Sequence, residues 1–309
     1  MNVRSHITAL YAALFAVLLA VSPAGSGSMT LLGVGKPSGA AGGCSQATAF
    51  LARTTGLSGT ETSAYTTLIC GLVTDGVITG TMAGSGVGAS ACGSILDLLY
   101  ITTTKNTSTA SLNLCSTSFT ATPFGSLTFS ADNYWSPDDA LSGLDTGFNP
   151  NTAGGAFSLN SASMGGCVLN NRTSNANTYA IGVQDTSTVS LLQLLNGGQA
   201  LFDLNEAAFS QAANTSSIGS WTLTRGNSTS LILYNNATSF ASVSAASSSV
   251  PNFSIYLMAN NNKGSVSGGS TNDQFAAFWV GGNLTSGLVT SLRTRIAAFV
   301  LAVKGSSGC

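Results

Sequence analysis

Charge, histidine and glutamate are what this sequence has least of. Of its 309 residues, 10 are Lys or Arg and 11 are Asp or Glu, so charged residues make up 7% of the chain. So few cations exclude a nucleic-acid footprint built on clustered Lys and Arg. The single histidine is His6. A mature chain that begins after the N-terminal leader therefore carries no imidazole, which excludes Ser-His-Asp and Cys-His catalysis and histidine-based metal sites. The only glutamates are Glu61 and Glu206. No Glu-x-Asp-x-x-Glu strand exists to set two carboxylates across a sugar bond, as glycoside hydrolysis requires. The six cysteines, Cys44, Cys70, Cys92, Cys115, Cys167 and Cys309, show no Cys-x-x-Cys spacing, which argues against zinc.

What remains is apolar and uncharged-polar. Hydrophobic residues make up 44% of the chain and they alternate, so the low charge does not signal disorder. The surface must then be Ser, Thr, Asn and Gly. Such a surface suits proteins that work outside cells, pack into large assemblies, or hold sugars through hydroxyl and amide groups.

In chain order, residues 1–24 have the form of a secretory signal, with Arg4 before an apolar run and Ser22-Pro23-Ala24 after it. The competing reading starts translation at Met29 and makes 1–28 an upstream extension. Residues 25–43 read as a Gly/Ser-rich linker. Residues 44–93 read as a helical segment plus a glycine-rich insertion at 80–93. Within it, Ser58-Gly-Thr-Glu61 is a capping box, with Tyr65, Leu68, Ile69, Leu72 and Val73 following at helical spacing. In an exported chain the cysteines pair. Cys70 with Cys92 is the expected bridge across the insertion, one choice among fifteen connectivities. In a cytoplasmic particle precursor they would instead be small buried hydrophobes.

From residue 94 the pattern is that of strands. Short apolar runs at 95–101, 110–116, 126–130, 144–148, 161–169, 179–184, 189–195, 200–204, 220–224, 230–234, 240–245, 253–258 and 275–280 are separated by turn clusters such as Asn196-Gly197 and Asn260-Asn261-Asn262. Phe253, Ile255 and Leu257 alternate with Ser254, Tyr256 and Met258, which marks one buried face and one wet one. After Gly281-Gly282 the period changes. Thr285 or Ser286 caps a helix with Leu288, Leu292, Ile296, Phe299, Val300 and Val303 on one stripe. The expected fold is all-β, an antiparallel jelly-roll sandwich over 94–309 with a small N-terminal helical segment, and with the C-terminal helix lying on its rim or back.

Three stretches carry a family resemblance. They are Phe-Leu-Ala-Arg-Thr-Thr-Gly-Leu at 50–57 with the helix at 65–77, Leu-Asp-Thr-Gly-Phe-Asn-Pro at 144–150, and Phe-Trp-Val-Gly-Gly-Asn-Leu-Thr at 278–285. Together they resemble the laminin-G-like, concanavalin A-like domains of phage and prophage proteins. The resemblance implies a jelly roll used for glycan binding, protein binding or particle structure. The glycine-rich 80–93 segment departs from that pattern.

The densest acidic cluster is Asp132, Asn133, Tyr134, Trp135, Asp138 and Asp139. An aromatic beside carboxylates on a loop can stack on a sugar, which makes these six the candidate glycan-binding residues. No metal is expected; should a cation bind, Asp132, Asp138 and Asp139 would be Ca²⁺ ligands. Asp145 reads as a turn anchor, Asp203 and Glu206 as a solvated strand end, and Trp221 and Trp279 as core. No catalytic residue is assigned. The expected function is a non-enzymatic phage or prophage structural protein at a tail or capsid surface, binding glycans or neighbouring subunits. The alternative is a secreted bacterial lectin-like protein; an exported glycan hydrolase is disfavoured. The mature chain is expected to contain no membrane span, and homo-oligomers are compatible with it.

Overall fold

Local signals fold as they read. The Ser58 hydroxyl accepts the Glu61 N–H at 3.1 Å while the Glu61 carboxylate accepts the Ser58 N–H at 2.9 Å, starting helix α2 (Gly59–Thr74). Gly76, at a φ of 73°, follows it. The other Glu61 oxygen accepts the Thr104 hydroxyl and the Lys105 N–H, so one carboxylate caps a helix and pins a distant loop. The computed structural model describes residues 43–138, 141–172, 178–269, 272–306 and 308–309. The predicted signal segment 1–24, the alternative start at Met29 and most of the predicted linker lie outside the described residues, as does Asp139.

Helix α1 (Ser45–Leu51) precedes α2, and strand β1 (Leu96–Ile101) and the short α3 (Thr107–Ala110) follow it. Next come β2 (Thr122–Phe124), β3 (Leu127–Ser130), β4 (Tyr134–Pro137), β5 (Gly143–Asp145), β6 (Ala162–Val168) and β7 (Ile181–Gln184). The chain continues through β8 (Val189–Asn196), β9 (Gln199–Glu206), β10 (Ser210–Ala213), β11 (Gly219–Arg225), β12 (Ser230–Asn235) and β13 (Thr238–Ser244). It ends with β14 (Tyr256–Leu257), β15 (Ala259–Asn262), β16 (Ser265–Gly269), β17 (Phe275–Gly281) and α4 (Ser286–Lys304).

The strands form two sheets packed as a sandwich, as expected. One runs β13-β12-β11-β6-β17-β4-β3, with β1 also on β17; the other runs β10-β9-β8-β7-β14-β5-β2, with β15 on β7 and β16 on β15. Their pairings are antiparallel except β15 with β7. Alternation along the central strands explains why both faces of the first sheet are buried. Phe275, Phe278 and Val280 of β17 fill the core between the sheets, whereas Ala277 and Trp279 fill a second core beneath the helices. On β1, Leu98 and Tyr100 face inward and Leu96, Leu99 and Ile101 face the helices. Gly165 and Gly166 of β6 leave the space taken by Trp279 and Phe278. Trp221 and Trp279 are core, as the strand pattern indicated.

The C-terminal helix α4 is capped by Thr285 and closed by Gly305 at a φ of 78°. It lies on the back of the first sheet, and the N-terminal helices join it there. Phe299 meets Tyr65 at 4.6 Å, Tyr65 meets Phe50 at 5.0 Å, and Arg295 forms a two-point ion pair with Asp75 at 2.8 and 3.0 Å. By length and composition α4 could cross a membrane, but its Val289, Leu292, Ile296, Phe299 and Val300 are buried within the protein.

Several expectations are corrected. Residues 110–116 are not a strand: the Asn106 side chain caps α3 by accepting the Thr109 N–H, and the Asn113 side chain accepts the Leu99 and Cys115 N–H groups in place of a ladder. Asn260-Asn261-Asn262 is strand β15 rather than a turn, because Lys263 and Gly264 supply the positive φ values one residue later. The Cys70–Cys92 bridge does not exist. The bridges are Cys44–Cys70, Cys92–Cys115 and Cys167–Cys309. The glycine-rich segment closes on itself through backbone bonds from Thr79 and Gly80 to Cys92 and from Met82 to Ala91. Cys92 is thereby presented to the loop after α3, and Cys70 to the chain entering α1.

Candidate functional site

The predicted acidic loop is tied down locally. Asp132 sits at a φ of 58°, donates its N–H to the Thr104 carbonyl, and faces Lys105 at 3.5 Å with both side chains well exposed. The Asn133 carbonyl accepts the Thr103 hydroxyl, and the Asp138 carboxylate accepts the Ser126 and Thr128 hydroxyls at 3.1 and 2.8 Å. Tyr134 is half-buried. Trp135 is 2% exposed, edge-on to Phe129 at 5.6 Å and opposite Phe275 in the ladder. The aromatic expected to stack on a sugar is a core residue, because 134–137 is a strand between β3 and β17 and not a loop. Asp132 and Asp138 stand at opposite ends of that strand, and among the described residues no three His, Cys, Asp or Glu side chains converge as a metal shell.

Asp203 and Glu206 are likewise not a solvated strand end; both are buried. Glu206 pairs with Arg225 at 2.9 Å, and that guanidinium also donates to the carbonyls of Leu204 and Ala245. Burial lifts the Glu206 carboxyl and the Arg225 charge pulls it back. Asp203 is linked to that pair through Ser210, whose hydroxyl reaches Glu206 at 3.5 Å. One Asp203 oxygen accepts the Ser210 N–H at 2.9 Å; the other has no hydrogen-bond partner among the described residues. Burial pushes the Asp203 carboxyl up to about 8, against the pull of the Ser210 N–H and with the Glu206 charge adding to the rise.

This predicts a pH effect. An unfolded Asp203 ionises near its ordinary value of 3.8 while the folded one stays protonated until about pH 8. Between those values the unfolded state binds fewer protons, so stability falls as pH rises. Asp203→Asn should remove that slope: its midpoint for urea unfolding should rise relative to wild type between pH 4 and pH 8. Parallel pH profiles for the two proteins would refute it.

Among the described residues, the long helices pack on the first sheet and none covers the outer face of the second. Cross-strand pairing lines up Thr122 with Asp145, Asp145 with Tyr256, Tyr256 with Gly182, Gly182 with Leu191, and Leu191 with Asp203. Their neighbours Leu144, Ile255, Leu257, Ile181, Leu192 and Phe202 fill the core between the sheets, so this row projects outward by alternation. Toward β9 the row is covered, with Leu191 and Asp203 buried; from Thr122 to Gly182 it spans about 14 Å at about 4.8 Å per strand. Tyr256 is half-buried, and its ring meets that of Phe124 at 4.9 Å and 48°. Burial and the nearby Asp145 charge raise its phenol.

One Asp145 oxygen accepts the Gly147 N–H at 2.8 Å, confirming Asp145 as a turn anchor; the carboxylate also stands on the open face beside Tyr256. Asn260 packs over Gly182, where any side chain would collide with it. Its Nδ2 reaches Gln184 Oε1 at 3.5 Å, while its Oδ1 is buried with no partner among the described residues. Half-exposed aromatic rings, a carboxylate and the Gln184 amide thus share one open surface, whereas Asn260 is buried. The six residues proposed from sequence are not among them. The available signal was the alternation at 253–258, which puts Tyr256 on the wet face.

No family model and no curated protein sequence matches the chain. Among solved structures it is similar to domain 4 of AbnA, a GH43 extracellular arabinanase from Geobacillus stearothermophilus in complex with arabinotriose. There the identity is 13%, the coverage 64% of this chain and 98% of that one, and the TM-score 0.44. It is also similar to the botulinum neurotoxin serotype G binding domain, at 11% identity, 64% and 50% coverage and a TM-score of 0.43. A Trypanosoma rangeli sialidase mutant displaying trans-sialidase activity matches at 12% identity, 75% and 38% coverage and a TM-score of 0.47. The chain thus spans about half the length of the toxin domain and less of the sialidase. Likeness of this degree carries no argument about ligand or reaction.

Proposed function

We propose that this protein is a non-enzymatic glycan-binding β-sandwich that works outside the cytoplasm, with its sugar site on the helix-free face around Tyr256. The observation that carries this is the Phe124–Tyr256 ring pair flanked by Asp145 and Gln184 on one accessible face. A sugar needs an apolar plane for its C–H face and polar groups for its hydroxyls, and this surface offers both. Asp203 and Glu206 are both buried and Glu206 is tied to Arg225, which does not favour them as the facing pair that hydrolysis needs. Pairing of all six cysteines supports an oxidising compartment.

A phage or prophage particle surface, the first reading from sequence, remains compatible with such a domain and is separated from a secreted lectin by the natural N-terminus. Intact mass of protein from producing cells giving a start near Gly25 supports export; a start at Met29 or Thr30 supports the particle component. The glycan reading is tested on a glycan array. Tyr256→Ala should lose roughly tenfold or more in affinity, of the order expected for removing a stacking ring, with its melting temperature little changed. Wild-type protein that binds no glycan, or an unaffected Tyr256→Ala, would refute it.

A further inference from the structure

We infer that the free-face site is built for an amino sugar with a free ammonium group, in preference to N-acylated or acidic sugars. The inference rests on the glycan-binding reading above.

The hydrogen-bonding groups around Tyr256 are unbalanced. Gly147 holds one Asp145 oxygen by its N–H, which fixes the carboxylate and leaves the second oxygen for a ligand. Asn260, packed over Gly182 beside this surface, keeps a buried carbonyl oxygen without a partner among the described residues. The open part of the row, from Thr122 to Gly182, holds one charged side chain, the Asp145 carboxylate. The hydroxyls of Thr122 and Tyr256 and the Gln184 amide can each donate and accept, so the fixed imbalance is the negative charge of Asp145. An ammonium group has three donors and no acceptor, so it complements such a site; an N-acetyl group removes the charge and adds a carbonyl acceptor. The aromatic faces of Phe124 and Tyr256, 4.9 Å apart, add attraction for a cation held beside Asp145. A uronic, sialic or sulfated sugar would place its anion against the Asp145 carboxylate, where like charges repel.

The test is calorimetric titration of the full-length protein with a glucosamine tetramer and with its fully N-acetylated counterpart, at mildly acidic pH and at low and high salt. The glucosamine tetramer should bind roughly tenfold more tightly, with the gap narrowing at high salt. Asp145→Asn keeps an acceptor for the Gly147 N–H, so it should remain folded by thermal melting and lose the preference. Equal affinities, a preference for the N-acetylated tetramer, or a preference that survives Asp145→Asn would overturn the inference. If neither tetramer binds but the array shows other glycans, the amino-sugar assignment falls and the glycan reading stands; if the array is also blank, both fall.

Discussion

Asp273→Ala should lower the free energy of unfolding by about 3–5 kcal/mol, the range for stranding one member of a buried ion pair. Arg172 and Asp273 have no exposed side-chain surface, and their groups meet in two contacts, Nε to Oδ1 at 3.3 Å and Nη2 to Oδ2. The same carboxylate accepts the Ser217 hydroxyl at 3.2 Å, and Arg172 Nη1 donates to the Leu195 carbonyl at 3.1 Å. One node therefore joins the segments after β6, after β10 and before β17, and spans both sheets through the end of β8. Removing the carboxylate leaves a guanidinium in the interior whose remaining hydrogen bond among the described residues is to the Leu195 carbonyl. Lys105–Asp132 supplies the control: at 52% and 36% side-chain exposure that pair is screened by water. Asp132→Ala should cost less than about 1 kcal/mol. Urea unfolding of both variants decides the matter. A loss below about 1 kcal/mol for Asp273→Ala would mean that water reaches the node and the burial argument fails. The pair is also where a paired hydrophobic replacement, Arg172→Met with Asp273→Leu, should recover most of the loss, because the pair's attraction does little more than offset its own desolvation.

Features set by neighbours in sequence were legible, and features set by register were not. The Ser58–Glu61 capping box, the Thr285 cap and the stripe on α4 each need only a few consecutive residues. Trp221 and Trp279 could be placed in the core because alternation puts them on a defined face. Trp135 was misplaced because Asp132, Asn133, Asp138 and Asp139 on either side of it have the composition of a loop. The partners that make 134–137 a strand, β3 and β17, were not visible in that window. The Tyr256 site was half legible. Alternation put Tyr256 on the wet face, but its meeting with Asp145 and Phe124 depends on β14 pairing with β5 and β5 with β2, across more than 100 positions of chain. Low sequence charge hid the buried ions as well. Asp203 and Glu206 read as a solvated strand end, whereas the fold buries both, and Arg172 and Arg225 as well.

Breaking the Cys167–Cys309 bridge by replacing both residues with alanine should destabilise the protein more than breaking either of the others, by up to about 5 kcal/mol. The effect lies in the unfolded chain. The bridges Cys44–Cys70 and Cys92–Cys115 close 26 and 23 residues, whereas Cys167–Cys309 closes 142. Loop-closure entropy then gives about 3.5 kcal/mol for each short bridge and about 5 for the long one. The native state should lose much less. Helix α4, which leads to Cys309, is held independently by Arg295 on Asp75, by Phe299 on Tyr65 and by Leu292 and Ile296 in the core beneath it. The variant should therefore remain folded while its unfolded ensemble expands, so the urea m-value rises as the midpoint falls. A loss under about 1.5 kcal/mol with an unchanged m-value would place the effect in local fraying of the tail instead. The two outcomes bear on the compartment. A long-range bridge that supplies several kcal/mol to a marginally stable domain makes an oxidising environment a condition of folding. A bridge that only pins the tail would leave the sandwich stable in a reducing cytoplasm.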